Sequence, residues 1–170
     1  MGPKRLKRKE FLEVLDRTQL VSIDLVIKDP KGRILLGLRT NEPAKDYWFV
    51  PGGRIMKDEN LEEAFIRISE EELGVKHSIG EARFLGPFSH QYETNSYLEP
   101  GITTQYIVLA FELLQNDDKK PKKKEQHSEY EWIALEELES PESDIAAKIH
   151  QNTLVYFRIP SEMNRSNIKF

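Results

Sequence analysis

The chain has 170 residues, a length that suits one domain with a real core. Apolar residues make up 38% and charged residues 32%, and the net charge of −4 argues against non-specific binding to nucleic acid, which wants a basic surface. There are no cysteines, which excludes a disulfide framework, a thiolate nucleophile and Cys-ligated zinc, and no apolar run nears the roughly 20 residues that a membrane helix needs.

The first residues, Met1 to Lys9, are basic with no apolar stretch behind them, so they do not read as a secretory signal. Leu6 stands where a myristoylation pattern wants Ser or Thr, and a cytoplasmic location is the expectation. Residues 7–16 put Phe11, Leu12 and Leu15 on one helical face, the end of a basic N-terminal helical segment spanning 1–16. Residues 20–28 are rich in Val and Ile and read as a buried strand, and Asp29-Pro30-Lys31-Gly32 is a turn leading into a return strand at Ile34–Leu38. A polar loop, Asn41–Asp46, precedes a short aromatic strand, Tyr47–Val50, which a Pro51-Gly52-Gly53 turn stops. Residues 60–73 form the clearest helix: Leu61, Ala64, Phe65, Ile68 and Leu73 recur at helical spacing, Asn60 or Asp58 caps the start, and Gly74 suits a left-handed end.

Residues 81–92 and 102–114 read as long strands, and 115–124 as an exposed, lysine-rich excursion. Tyr130–Ala134 reads as a strand, Leu135–Leu138 as a short helix, and Ile145–Phe157 as a final helix. The pattern is a single domain, 1–170, with a core over about 18–157 and a loose tail at 158–170. Its class is α/β: a mixed β-sheet with helices on its faces.

The chemistry lies in Pro51-Gly52-Gly53-Arg54, Asp58-Glu59, Arg67 and Glu70-Glu71-Glu72-Leu73-Gly74-Val75. Glycines let a ligand approach the main chain closely. Positions 68, 71 and 72 share one helical face, and Arg67 lies one turn before Glu71, where it can hold that carboxylate. Hard oxygen donors of this kind suit Mg2+ or Mn2+ bridging to phosphates. A plain acidic helix would explain Glu70–Glu72 but not the glycines and Arg67 at their offsets.

This segment resembles the Nudix box, which Gly53, Glu59, Arg67, Glu71, Glu72, Gly74 and Val75 fit. Two positions depart: Ile68 stands where the box has a glutamate after arginine, and Ser69 where it has an aliphatic residue. Outside the box the chain resembles the GDP-mannose mannosyl hydrolases over roughly 6–157. The matching stretches are Gln19 to Asp24, Leu35 to Asn41, Tyr47 to Arg54, Thr103 to Tyr106 and Glu125 to Trp132. The resemblance implies the Nudix α/β/α sandwich and one Mg2+, with Mn2+ as a substitute. Its ligands would be a main-chain carbonyl of Gly52, Glu72 and Gln126, with Glu71 adjacent. It implies His127 as general base, on a loop that reaches over the sheet, an imidazole being suited to proton transfer near neutral pH.

Arg39, Arg54 and Tyr106 are expected on the diphosphate, Asp24 on sugar hydroxyls, and Arg67 and His90 near the substrate. Leu6 and Phe11 fall in a segment that in the family binds nucleotide across a homodimer. The implied reaction is hydrolysis of GDP-mannose, or a related GDP-hexose, at the anomeric carbon with inversion, served without nucleic-acid or membrane partners. Two alternatives stay open: a Nudix pyrophosphatase attacking phosphorus in a nucleotide sugar or nucleoside triphosphate, and a non-catalytic nucleotide-sugar sensor in which the Lys119–Lys124 run is a patch for an anionic partner.

Overall fold

A computed structural model describes residues 5–116, 120–121, 127–138, 140 and 143–157. Helix α1 (Arg8–Arg17) leads into strands β1 (Leu20–Lys28) and β2 (Ile34–Arg39), then the short β3 (Trp48–Phe49) and β4 (Gly52–Arg54). Helix α2 (Leu61–Leu73) follows, then β5 (Arg83–Tyr92), β6 (Thr104–Leu114), β7 (His127–Ile133) and α3 (Gln151–Leu154).

Local chemistry fixes the element ends. Asp29 Oδ1 accepts from the main-chain N–H of Lys31 and Arg33 (2.9 and 2.8 Å), which closes the β1–β2 turn. At α2 the Asn60 side chain accepts from Glu63 N, and the Glu63 carboxylate accepts from Asn60 N (both 2.9 Å). Gly74 ends the helix at φ 78°, where only glycine is unstrained.

The sheet runs β3-β2-β1-β6-β5, with β7 on β2 and β4 on β1. β1 and β6 are parallel and the other pairings antiparallel, so the sheet is mixed, as expected. β1 meets β2 only at Lys28 and Ile34, and the two strands then splay. The segment from Trp48 to Arg54 fills the opening. It pairs first with β2 (Leu38 with Trp48), then accepts from Leu25 N at the Pro51 carbonyl (2.8 Å), then pairs with β1 (Asp24 with Gly52).

Alternation along the strands divides the core. Ile23, Leu25, Ile27 and Leu35 pack against Phe65 and Ile68 of α2. Val26, Ile34 and Leu36 face the other way, against Phe49, Ile149 and Tyr156. The result is the α/β/α sandwich that the sequence predicts.

Three expectations are corrected. Gly52-Gly53 is not a free turn but part of β4, held by the main chain of β1. The last strand starts at His127 rather than Tyr130, because residues 127–133 pair with β2. The final helix over 145–157 is broken into a 3-10 turn at Ala146–Lys148 and the short α3. Ile149 between them is extended and bridges to Trp48, and His150 N donates to Trp48 O (3.2 Å), so pairing with the sheet overrides the helical period. The expected tail at 158–170 lies outside the described residues, as does most of the lysine-rich excursion.

A Cβ on Gly52 would lie 2.5 Å from Asp24 Oδ1 and 2.6 Å from Ile23 O. Gly52→Ala is therefore expected to lower unfolding stability by about 1–3 kcal/mol in chemical denaturation. Gly80→Ala, whose nearest neighbour is 3.7 Å away, should stay within about 0.5 kcal/mol of the parent. Equal stability of the two variants would show that the contact at Gly52 is not restrictive.

Candidate active site

The splay of β1 from β2 opens a pocket of about 160 Å³ lined by Ser22, Asp24, Arg39, Pro43, Phe49, Gly52, Arg54, His90, Tyr92 and Tyr106, among others. Six of the site residues expected from sequence meet here: Asp24, Arg39, Gly52, Arg54, His90 and Tyr106. Arg39 is anchored through Nε, which donates to the Pro43 carbonyl (3.0 Å), and its guanidinium lies 5.8 Å from the Phe49 ring centre. The Arg54 guanidinium rests 4.2 Å from the centre of the Phe11 ring. Burial draws the Arg54 value down and the Tyr106 value up, each partly offset by the other's charge.

Among the described residues Asp24 is the one carboxylate on the pocket wall. Tyr156 Oη donates to its Oδ2 at 2.6 Å, and the same oxygen lies 3.2 Å from His90 Nε2. Burial pushes the Asp24 carboxyl up to about 7; the Tyr156 hydrogen bond and Arg39 pull it down, and the Glu72 charge adds to the rise. Burial, with a smaller contribution from His150, holds His90 down to about 4, so its ring is neutral at physiological pH.

A second group sits against α2. Glu72 is buried, and its carboxylate lies 3.3 Å from Nδ1 of His127, which is 1% exposed. Tyr130 Oη is also 3.3 Å from that nitrogen, and His127 Nε2 is buried with no partner among the described residues. The expected loop placement of His127 is corrected: it opens β7 opposite Arg39, and its ring covers Gly37, where a Cβ would lie 2.5 Å from Cδ2.

Arg67 does not line the pocket. Its guanidinium spans the Glu59 carboxylate, Glu71 Oε2 (2.8 Å) and the Arg54 carbonyl (2.8 Å), tying β4 to α2. Leu6 is exposed and Phe11 packs under Arg54 and edge-on to Tyr97. Gln126 lies outside the described residues.

The sequence reading missed Tyr92, His150, Asn152 and Tyr156. Tyr92 lines the pocket, and His150 and Asn152 lie beside it. The three that follow Ile149, His150, Asn152 and Tyr156, were hidden because the Ile145–Phe157 period reads as a plain amphipathic helix.

Among the described residues no group of three or more His, Cys, Asp or Glu side chains is placed to hold a metal. What α2 supplies is a buried Glu72 carboxylate facing an imidazole rather than an arginine or lysine, beside Glu71. Such oxygen donors suit a hard divalent cation.

The splayed sheet, the capped acidic helix and the arginine-lined pocket define an α/β/α sandwich with a pocket beside an acidic helix. A family model described as NUDIX domain matches residues 18–153, and the chain belongs to the Nudix family. Over 114 residues it is 44% identical to the low-salt glycan biosynthesis protein Agl8 of Haloferax volcanii, covering 67% of this chain and 70% of that protein. Its fold is similar to that of the MutT protein from Methanosarcina mazei Go1 (TM-score 0.63, 22% identity, 84% of this chain and 92% of that one). It is also similar to a bifunctional NMN adenylyltransferase/ADP ribose pyrophosphatase from Francisella tularensis, solved with AMP and a Mn ion (TM-score 0.58, 18% identity, 85% of this chain and 44% of that one). Nudix hydrolases generally use divalent cations.

The raised Asp24 value has a consequence for stability. A carboxyl whose folded-state value lies above the unfolded one stabilises the fold fully below pH 3.8, and loses that contribution as pH rises through about 7. Asp24→Asn, which stays neutral, is expected to gain stability relative to the parent between those limits. The gain reaches at most roughly 4 kcal/mol, about three pH units at about 1.4 kcal/mol each. Thermal melts of both proteins at acid and mildly alkaline pH test this; a difference in melting temperature that does not change with pH would contradict it.

Proposed function

We propose that the protein hydrolyses a GDP-hexose, GDP-mannose first among them, to GDP and the free sugar by attack of water at the anomeric carbon with inversion. The observation that carries this reading is Ile68. It replaces a box glutamate and is fully buried in the apolar core, with Gly53 directly over it (3.2 Å from its Cγ1 to an added Cβ). The helix therefore offers a carboxylate set too small for chemistry that gathers several cations at phosphorus.

In this reading Arg39, Arg54 and Tyr106 bind the diphosphate, and Asp24 accepts from sugar hydroxyls with His90 beside it. Among the described residues the two arginines make no salt bridge to a carboxylate in the pocket, which suits an anionic ligand. Water loses a proton to His127, whose Nε2 has no partner among the described residues. The new bond joins the water oxygen to the anomeric carbon, and the bond from that carbon to the phosphate oxygen breaks, releasing GDP as an anion. Gly52, Glu72 and Gln126, with Glu71 adjacent and fixed by Arg67, would hold one Mg2+ or Mn2+. When bound, that cation supplies charge neutralisation for the departing diphosphate. The choice of GDP-mannose rests on the flanking resemblance. The glycan-biosynthesis relative supports a nucleotide sugar as substrate. The segment carrying Leu6 and Phe11 is assigned to the nucleotide of a second copy in a homodimer.

Turnover of GDP-mannose with Mg2+ in 18O-labelled water is expected to place the label in mannose. Label in phosphate would instead establish attack at phosphorus, and no turnover of any nucleotide sugar would favour a sensor. His127→Gln is expected to lower kcat by at least about 100-fold at neutral pH; near-parental turnover would remove His127 from the role of base.

A further inference from the structure

The pocket contains a proton arrangement that one hydroxyl decides. Tyr156 follows α3 and is buried, with its ring edge-on to Phe88 (4.9 Å between centres) and tilted against His90 (5.8 Å). Its Oη is 2.6 Å from Asp24 Oδ2 and 3.2 Å from His90 Nε2. A phenol has a single proton, and the Tyr156 hydroxyl directs it at Asp24 Oδ2. The tyrosine oxygen can therefore meet His90 only as an acceptor. His90 must then carry its proton on Nε2. A neutral imidazole has one N–H, so Nδ1 is left as an acceptor.

We propose that Tyr156 is a positioning residue: by engaging Asp24 Oδ2 and His90 Nε2 together, it fixes His90 in the Nε2–H tautomer and leaves Asp24 Oδ1 and His90 Nδ1 as a pair of acceptors for neighbouring hydroxyl groups of a sugar. Both residues line the same pocket, and Arg39 and Arg54 on its wall are donors only. The pocket is thereby divided into a donor side for an anion and an acceptor side for a polyol. The assignment of sugar to the acceptor side rests on the proposed nucleotide-sugar substrate; the tautomer does not.

The test uses the full chain at mildly alkaline pH. Nitrogen-15 NMR of the histidine rings is expected to show His90 in a single Nε2–H form. That measurement needs no variant, and an Nδ1–H signature in the parent protein overturns the proposal. Tyr156→Phe keeps the ring packing and removes only the hydroxyl. It is expected to convert the His90 signals to a mixture of tautomers and to lower kcat for GDP-mannose roughly ten-fold, with KM changed less than about two-fold. An unchanged His90 spectrum, or unchanged kcat and KM in an active enzyme, also overturns it. If the parent turns over no nucleotide sugar, the substrate assignment fails alone, and the spectra still decide the role of Tyr156.

Discussion

The main-chain pairing of Gly52 with Asp24 is the constraint on which the site depends. β1 and β2 share a single register point and then diverge, so the inner edge of β1 would carry unpaired donors and acceptors without the segment that crosses the opening. β4 satisfies them, and only a residue without a side chain can lie so close to the Asp24 carboxylate and the Ile23 carbonyl. Once β4 is seated, several consequences follow from chain connectivity. Arg54 is delivered to the pocket rim over Phe11, its carbonyl is presented to Arg67, and Gly53 is laid on Ile68. The Arg67 clasp then locks the strand to α2 through Glu59 and Glu71. Pocket and acidic helix are two sides of one joint.

The joint also governs the electrostatics. Asp24 has a hydrogen bond from Tyr156 and an arginine for company, both of which favour the charged form, yet burial outweighs them and the Glu72 charge adds to the effect. The carboxyl thus sits close to its titration point at neutral pH, while the neighbouring His90 is neutral. Among the described residues Asp24 forms no salt bridge with Arg39 or Arg54, although the Arg39 charge acts on it.

Much of this is legible in sequence because it is local. The Asn60 cap, the Gly74 terminus and the Glu59, Arg67 and Glu71 offsets all act within a few turns of one helix, so spacing reports them. Asp24, Arg39, Arg54 and Tyr106 come together as the resemblance implies, because each lies on a strand or strand edge whose period is plain. The C-terminal segment is different. Ile145 to Phe157 has a helical period, but Ile149 is taken by Trp48, about 100 positions earlier, and Tyr156 reaches Asp24 across 132 positions. No local pattern encodes such a partner. The same holds for His127, whose strand begins where it does because Arg39 is opposite, not because its own neighbours favour a strand.

Ile68 shows how far a single side chain can shape the helix's chemistry. Its site is dry: apolar neighbours from β1, β2 and α2 surround it, and it has no exposed surface. An ionised carboxylate placed there would cost several kcal/mol in lost hydration unless a cation or a rearranged β4 compensated. The apolar residue is therefore matched to the closed packing of Gly53 above it, and the acidic face is narrowed to Glu71 and Glu72. Arg67 holds Glu71, and Glu72 lies against the imidazole of His127. The packing of one isoleucine under one glycine thus limits which carboxylates this face of the helix carries.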